Sequence, residues 1–300
     1  MRKTEAVKQQ LRRSRDDSGG QETTAAVWAA ISGQSVGEAW LRRDEPKPPE
    51  LEARFRDAVA QLERGVPFAY AVGSVGFRIL DLKIDPRALI PRPETEGLVE
   101  LVLRKVGKRE TGNGKRGGGL AADIGTGSGC IALSLAVEGQ FEKVIAVEQS
   151  RAAAALAREN VERIDPATPV EIREGSLLEP LLEKGERFRA IVANPPYLTI
   201  DEYEELDSSV RHFEPREALV SGSDGLDAIR ALFAGARSLL EPGGLLALEI
   251  DERRADAIRE LGKDFGWDVE IHLDLFNCPR YALSVAYQEE DRCSKKKPKI

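Results

Sequence analysis

Leu120-Ala121-Ala122-Asp123-Ile124-Gly125-Thr126-Gly127-Ser128-Gly129 decides the fold. The apolar run up to Ile124, the glycine-rich turn and the apolar stretch Cys130 to Val137 read as strand, turn and helix. The glycines let a ligand approach the backbone and the helix start offers N–H groups, so the unit reads as a cofactor cradle. A dinucleotide fingerprint needs its third glycine one residue later, where Cys130 stands. Nicotinamide cofactors are therefore disfavoured. S-adenosylmethionine fits better, because it needs room for its methionine part and carries no pyrophosphate.

Downstream, Lys143 to Val147 reads as a second buried strand ending in Glu148. One βαβ unit past the glycine turn, that carboxylate is placed to accept both hydroxyls of a ribose. The ordinary alternative is a solvated strand-end acid. Arg151 to Arg163 reads as a helix, Val170 to Arg173 as a strand, and the loop holding Ser176 and Leu177 as the place where an adenine would be sandwiched. Phe188 to Ala193 is a further strand, and Asn194-Pro195-Pro196-Tyr197 must end it, since proline cannot continue a hydrogen-bond ladder. Such a turn suits alkylation of a planar nitrogen. The Asn194 side-chain oxygen and the Pro195 carbonyl can hold both N–H groups, while Tyr197 stacks on the planar group or closes the pocket. The plainer reading is a proline turn with an ordinary turn asparagine.

Upstream, residues 1–20 read as a polar disordered leader and 23–65 as a small helical domain in which Val27, Trp28 and Ile31 share one face. After the Pro46-Lys47-Pro48-Pro49 break, Leu51, Phe55, Ala58, Val59 and Leu62 recur at helical spacing. Residues 76–90 read as a two-stranded hairpin. In Pro91-Arg92-Pro93-Glu94-Thr95-Glu96 the spacing predicts a helix cap at Thr95 and leaves Arg92 unexplained. Gly107 to Gly119 reads as a surface loop; its Gly114-Lys115 pair is followed by Arg116, which excludes a nucleotide phosphate loop.

Together the stretches Ile90 to Glu96, Asp123 to Gly129 and Asn194 to Tyr197 closely resemble the peptide-chain-release-factor N5-glutamine methyltransferases of bacteria and organelles. The resemblance runs from about Gly65 to Tyr287, with Phe213-Glu214-Pro215 and Pro242-Gly243-Gly244 in the expected positions. It implies an α/β class I S-adenosylmethionine-dependent methyltransferase fold, with a seven-stranded, mostly parallel Rossmann-like sheet and a small helical N-terminal domain joined by a β-hairpin. The implied bounds are 1–20 leader, 21–75 helical substrate-docking domain, 76–90 hairpin, 91–288 catalytic domain and 289–300 basic tail. The implied reaction is methyl transfer to the side-chain amide of the glutamine in a release factor's Gly-Gly-Gln motif, in support of translation termination. Asp123, Gly125, Thr126, Gly127, Ser128, Gly129, Glu148, Ser176, Leu177 and Asn194 would hold the cofactor. Arg92, Pro93 and Glu94 would hold the glutamine together with Asn194, Pro195, Pro196 and Tyr197, with Asn194, Pro195 and Tyr197 at the chemistry and no metal. Ser176 replaces the Asp usual in that loop, and Phe276-Asn277-Cys278-Pro279 replaces a glycine-bearing one.

The net charge of −7 excludes an obvious polyanion binder. Three cysteines and two histidines without ligand spacing point to a reducing interior rather than a disulfide or zinc framework. No apolar run approaches a membrane span, so a cytoplasmic monomer with a release factor as partner is expected. A nucleic-acid amino-group methyltransferase shares the same motifs, but Asp201-Glu202-Tyr203-Glu204-Glu205 would repel phosphate. A catalytically silent module that only binds the cofactor is the other alternative.

Overall fold

The computed structural model describes residues 19–106 and 118–286. The expectations for the leader before Gly19, for most of the Gly107 to Gly119 loop and for the basic tail lie outside the described residues. The chain divides into two compact units at Ser74 and Val75.

In the first unit the helices are α1 (Gly19–Ser32), α2 (Val36–Leu41), α3 (Pro49–Glu63) and α4 (Phe68–Val72). Gly19 and Gly20, read from sequence as the end of the leader, open α1. Ser35 caps α2 reciprocally with Glu38, and Pro49 starts α3, where its missing N–H costs nothing. Val27, Ile31, Phe55 and Ala58 form the buried cluster, with Trp28 stacked on Phe55 at 4.3 Å between ring centroids. The residues whose spacing put them on one helical face are the ones that pack.

The second unit opens with a hairpin of β1 (Ser74–Phe77) and β2 (Leu80–Lys83). Its turn is Arg78-Ile79, with Arg78 at φ 52°, so the hairpin ends well before Ile90. No glycine or asparagine marks this turn, and tertiary contacts hold it instead. Arg78 donates to both carboxylate oxygens of Glu138 (2.6 and 2.7 Å), and its backbone N–H donates to Glu96 (2.9 Å). Residues 85–92, expected in part as the second strand, form an irregular segment.

The main sheet has seven strands in the order β5-β4-β3-β6-β7-β9-β8. They are β3 (Leu120–Ile124), β4 (Lys143–Glu148), β5 (Val170–Glu174), β6 (Phe188–Ala193), β7 (Leu240–Glu249), β8 (Val269–Leu273) and β9 (Pro279–Val285). Only β9 runs against its neighbours. The strand order reverses between β3 and β6, which opens a crevice at their carboxyl ends.

Alternate residues face opposite layers. Ala122, Ile124, Ile145, Val147, Ile191 and Ala193 meet helices α11 (Asp227–Leu239) and α12 (Ala255–Asp264), whereas Ala121, Val144, Ala146, Ala190 and Val192 meet the layer built on α5 (Pro93–Val106) and α6 (Cys130–Glu138). Of the helices between, α7 (Arg151–Ile164) flanks β4 and β5, and the short α8 (Glu179–Leu182) follows β5. Two more, α9 (Ile200–Glu204) and α10 (Ser208–Phe213), follow β6.

Helix α5 begins at Pro93, two residues before the expected cap, so Thr95 lies inside its first turn with 2% exposure. The start of α5 is fixed by Tyr281 of β9, whose hydroxyl donates to the Glu94 carbonyl at 2.8 Å. Gly97 makes room for that hydroxyl: a Cβ there would lie 2.1 Å from it. Gly97→Ala therefore gains helix propensity of about 1 kcal/mol but overpacks by about 1 to 3 kcal/mol. The expected outcome, read by thermal melting, is a Tm a few degrees lower than wild type.

Candidate active site

At the reversal point the ends of β3, β4 and β6 surround a cavity of about 440 Å3. Gly125, Thr126, Gly127 and Ser128 line it from the turn after β3, Glu148 from β4, Ser176 and Leu177 from the turn after β5, and Asn194, Pro195 and Pro196 from the turn after β6. Arg92 reaches it from the segment before α5. Five separate stretches of sequence thus meet at one crevice.

The glycine turn is held against the end of β4. Gly125 and Thr126 N–H both donate to the Val147 carbonyl (2.9 and 3.0 Å), and Gly127 N–H donates to Glu148 Oε2 at 2.8 Å. The free N–H groups expected of a ligand cradle are here largely engaged in shaping it. Asp123 does not line the cavity. It is fully buried behind the turn, where one oxygen accepts from the Thr126 hydroxyl and from Ala132 N–H at 3.0 Å. Burial pushes its carboxyl up to about 7, against the pull of those two hydrogen bonds. Gly129 is also away from the cavity; at φ 87° it forms the junction into α6.

Glu148 is 8% exposed and accepts a second backbone bond, from Ser150 N–H to Oε1 at 2.9 Å. Each carboxylate oxygen accepts two hydrogens, so each retains a site for a hydroxyl. Leu177, at φ 45°, turns toward the cavity beside Ala228 and Leu232 of α11. An acceptor pair beside apolar walls fits a nucleoside. The two arginines of the lining are both paired: Arg87 with Asp85 and Glu159, and Arg92 with Glu214. A lining whose cations are neutralised suits a ligand bearing a sulfonium rather than a phosphate. The residues present fit S-adenosylmethionine.

Arg92, unexplained by local pattern, has its partner 122 positions away. Its guanidinium donates to Glu214 Oε1 at 2.6 Å, and Glu214 Oε2 accepts from Ile90 N–H at 3.2 Å. Pro93 and Glu94 do not reach the cavity. Asn194 donates from Nδ2 to the Thr95 hydroxyl oxygen at 3.1 Å, which leaves Oδ1 for the cavity. Behind the turn, Tyr197 and Leu198 N–H both donate to the Leu219 carbonyl, at 3.1 and 2.9 Å. Gly225, at φ 77°, lets its loop come so near that a Cβ would lie 2.3 Å from the Tyr197 carbonyl.

Tyr197, expected to stack on the planar group or close the pocket, is not among the lining residues; burial, reinforced by the charge of Glu249, pushes its phenol up to about 12. Residues that sequence reasoning missed include Gln149, Val220 and Ala228. Gln149 follows Glu148 directly and was within reach of the pattern; the other two lie on segments without a motif.

A doubly wound sheet with this crevice, an acid at the β4 tip and an Asn-Pro-Pro turn at the β6 tip define a class I S-adenosylmethionine-dependent methyltransferase. A family profile described as "Methyltransferase small domain" matches residues 110–210. A solved methyltransferase from Pyrococcus furiosus shares the fold, with 21% identity, a TM-score of 0.50 and coverage of 79% of this chain and 98% of that one. A Moorella thermoacetica protein named release factor glutamine methyltransferase is 41% identical over 225 residues, 75% of this chain and 76% of its own. A Geobacter sulfurreducens protein of the same name is 40% identical over 237 residues, 79% of this chain and 78% of its own. The chain belongs to the release factor glutamine methyltransferase family.

Glu214→Ala removes the acceptor shared by Arg92 and Ile90. Hydrogen exchange of the Ile90 amide is expected to rise by about tenfold or more, the loss of roughly one charge-assisted hydrogen bond, while amides of β3 and β6 keep their protection.

Proposed function

We propose that this protein transfers the methyl group of S-adenosylmethionine to the side-chain amide nitrogen of the glutamine in a release factor's Gly-Gly-Gln motif. Membership of the family supports the reaction, and one observation carries its assignment to residues: Asn194 is tied by Nδ2 to Thr95, with Oδ1 left for the cavity. An amide nitrogen is a poor nucleophile because its lone pair is conjugated. Asn194 Oδ1 and the Pro195 carbonyl would accept its two N–H groups and turn the lone pair toward the methyl group.

When bound, the cofactor supplies a methyl group already activated on a sulfonium. Glu148 would hold its ribose hydroxyls, the Gly125 to Ser128 turn its methionine part, and Ser176 and Leu177 would border its base. The substrate nitrogen would gain the methyl carbon, the pair of the broken carbon–sulfur bond would leave with the thioether, and the nitrogen would release a proton to solvent. Arg92 would act by holding the segment over the cavity through Glu214. The helical unit before Ser74 would dock the release factor, with the enzyme acting as a cytoplasmic monomer. Among the described residues no helix is long and apolar enough to cross a membrane.

Mass spectrometry of a release factor incubated with the protein and cofactor is expected to show one added methyl on the Gly-Gly-Gln glutamine, absent when that residue is alanine. Methyl transfer to DNA or RNA instead would turn the assignment to the nucleic-acid class. Asn194→Ala should lower kcat by about a hundredfold or more with cofactor affinity near wild type by calorimetry. Glu148→Ala should weaken that affinity by roughly 10- to 100-fold, the worth of hydrogen bonds to a charged acceptor.

A further inference from the structure

We propose that Arg254 is a positioning residue for methyl transfer: from behind the cavity wall it latches the turn that carries Asn194 and the Pro195 carbonyl. The proposal rests on the reaction given above. Arg254 is not among the lining residues and acts through the backbone of that turn.

Arg254 closes the single turn of 3-10 helix Glu252–Arg254 that joins β7 to α12, and it is buried. A buried guanidinium has to find partners for its donors. Arg254 finds them on three separate segments. Its Nε donates to the Asp224 carbonyl at 2.9 Å, its Nη2 donates to Glu202 Oε2, and its Nη1 lies 3.5 Å from Asp251 Oδ2. The planar fork thereby sets the spacing between a loop, the start of α9 and the end of β7.

Two of those segments hold the substrate turn. Glu202 Oε2 also accepts from Thr199 N–H at 2.9 Å, and Glu202 N–H donates to Thr199 Oγ1 at 3.2 Å. The chain two residues past Tyr197 therefore hangs on the same carboxylate oxygen as Arg254. Asp224 precedes Gly225, which is squeezed between the turn and the guanidinium. A Cβ on Gly225 would lie 2.3 Å from the Tyr197 carbonyl oxygen and 2.6 Å from Arg254 Nε. Arg254 backs Gly225, and Gly225 backs Tyr197. The rings of Pro195 and Pro196 fix φ at about −65°, so the turn has few soft torsions. A shift at Tyr197 is passed on to the Pro195 carbonyl and Asn194 instead of being absorbed.

Arg253 supplies the contrast. It pairs with the same two carboxylates, Asp251 at 2.6 Å and Glu202 at 3.0 Å, but its side chain is 56% exposed against 10% for Arg254. A solvated pair contributes little, whereas removing one partner of a buried pair leaves a gap and an unmatched charge. The inner arginine is the one that reaches the loop behind Tyr197.

The test compares wild type with Arg254→Met, Arg254→Lys, Arg253→Met, Glu202→Ala and the double variant Arg254→Met with Glu202→Ala. It reads kcat and KM for the release-factor glutamine, cofactor affinity by calorimetry and Tm, with rates taken where each variant is folded. Arg254→Met is expected to lower kcat by about 10- to 100-fold, as a misplaced reacting group does, with cofactor affinity unchanged. Arg254→Lys keeps the charge without the fork and recovers only part of that loss. Arg253→Met stays within about threefold of wild type. Glu202→Ala lowers kcat in the same direction as Arg254→Met, and the double variant loses no more than the larger single, because both cut one latch. Where Arg254→Met does not fold, Arg254→Lys and Glu202→Ala carry the test. Wild-type kcat in the folded Arg254 variants, an equal loss in Arg253→Met, additive losses in the double variant, or a loss confined to cofactor affinity overturns the latch alone. A wild-type protein that transfers no methyl to the glutamine overturns the reaction, and the latch with it.

Discussion

Pro195 and Pro196 carry no amide hydrogens, so β6, paired with β3 on one side and β7 on the other, has to end at Ala193 and release Asn194 from the sheet. The rest of the site depends on that stop. It leaves a polar side chain in the lining of the crevice, which it shares with the Glu148 carboxylate at the tip of β4, and such a side chain must be held. Thr95 holds it from α5, the 219–221 segment braces the backbone behind it, and Gly225 admits a loop against the Tyr197 carbonyl. One covalent constraint in the middle of the sheet has recruited partners from both sides of the sequence.

Charge is managed in the same way. The arginines that border the cavity are matched by carboxylates, Arg92 by the buried Glu214 and Arg87 by Asp85 and Glu159. They stiffen the segment between the hairpin and α5 without presenting a free positive field to the ligand. For a cofactor that is itself a cation, this is the arrangement that avoids repulsion at short range. The same pairing argues against a phosphate-tracking groove, in agreement with the net charge of −7.

The sheet and the cavity were legible because their signals are local. Buried parallel strands read as short apolar runs, and glycine and proline mark where they turn into loops. Strands β3 to β6, the glycine turn, Glu148 and the Asn194 turn come from such signals, whereas the seven-stranded count was implied by the family resemblance. What escaped was the information carried by pairs far apart in the chain. Arg92 had no local explanation because Glu214 lies 122 residues on, and Thr95 looked like a cap because nothing nearby indicates Asn194, 99 residues away. The hairpin turn at Arg78 carries no turn residue, since Glu138 and Glu96 supply its stability from two helices. Tyr197 was read by its neighbours in sequence as a pocket wall, yet it is not among the lining residues.

Arg189 interrupts β6 where the register shifts, and its guanidinium donates to the Val106 carbonyl at 2.5 Å and to the Gly118 carbonyl at 3.2 Å. A single side chain near the start of β6 thus ties the end of α5 to the backbone just before β3. Because β3 and β6 run parallel, this tie lies at the end of the sheet away from the crevice, so the strands are clamped at one end and left free to carry the site at the other.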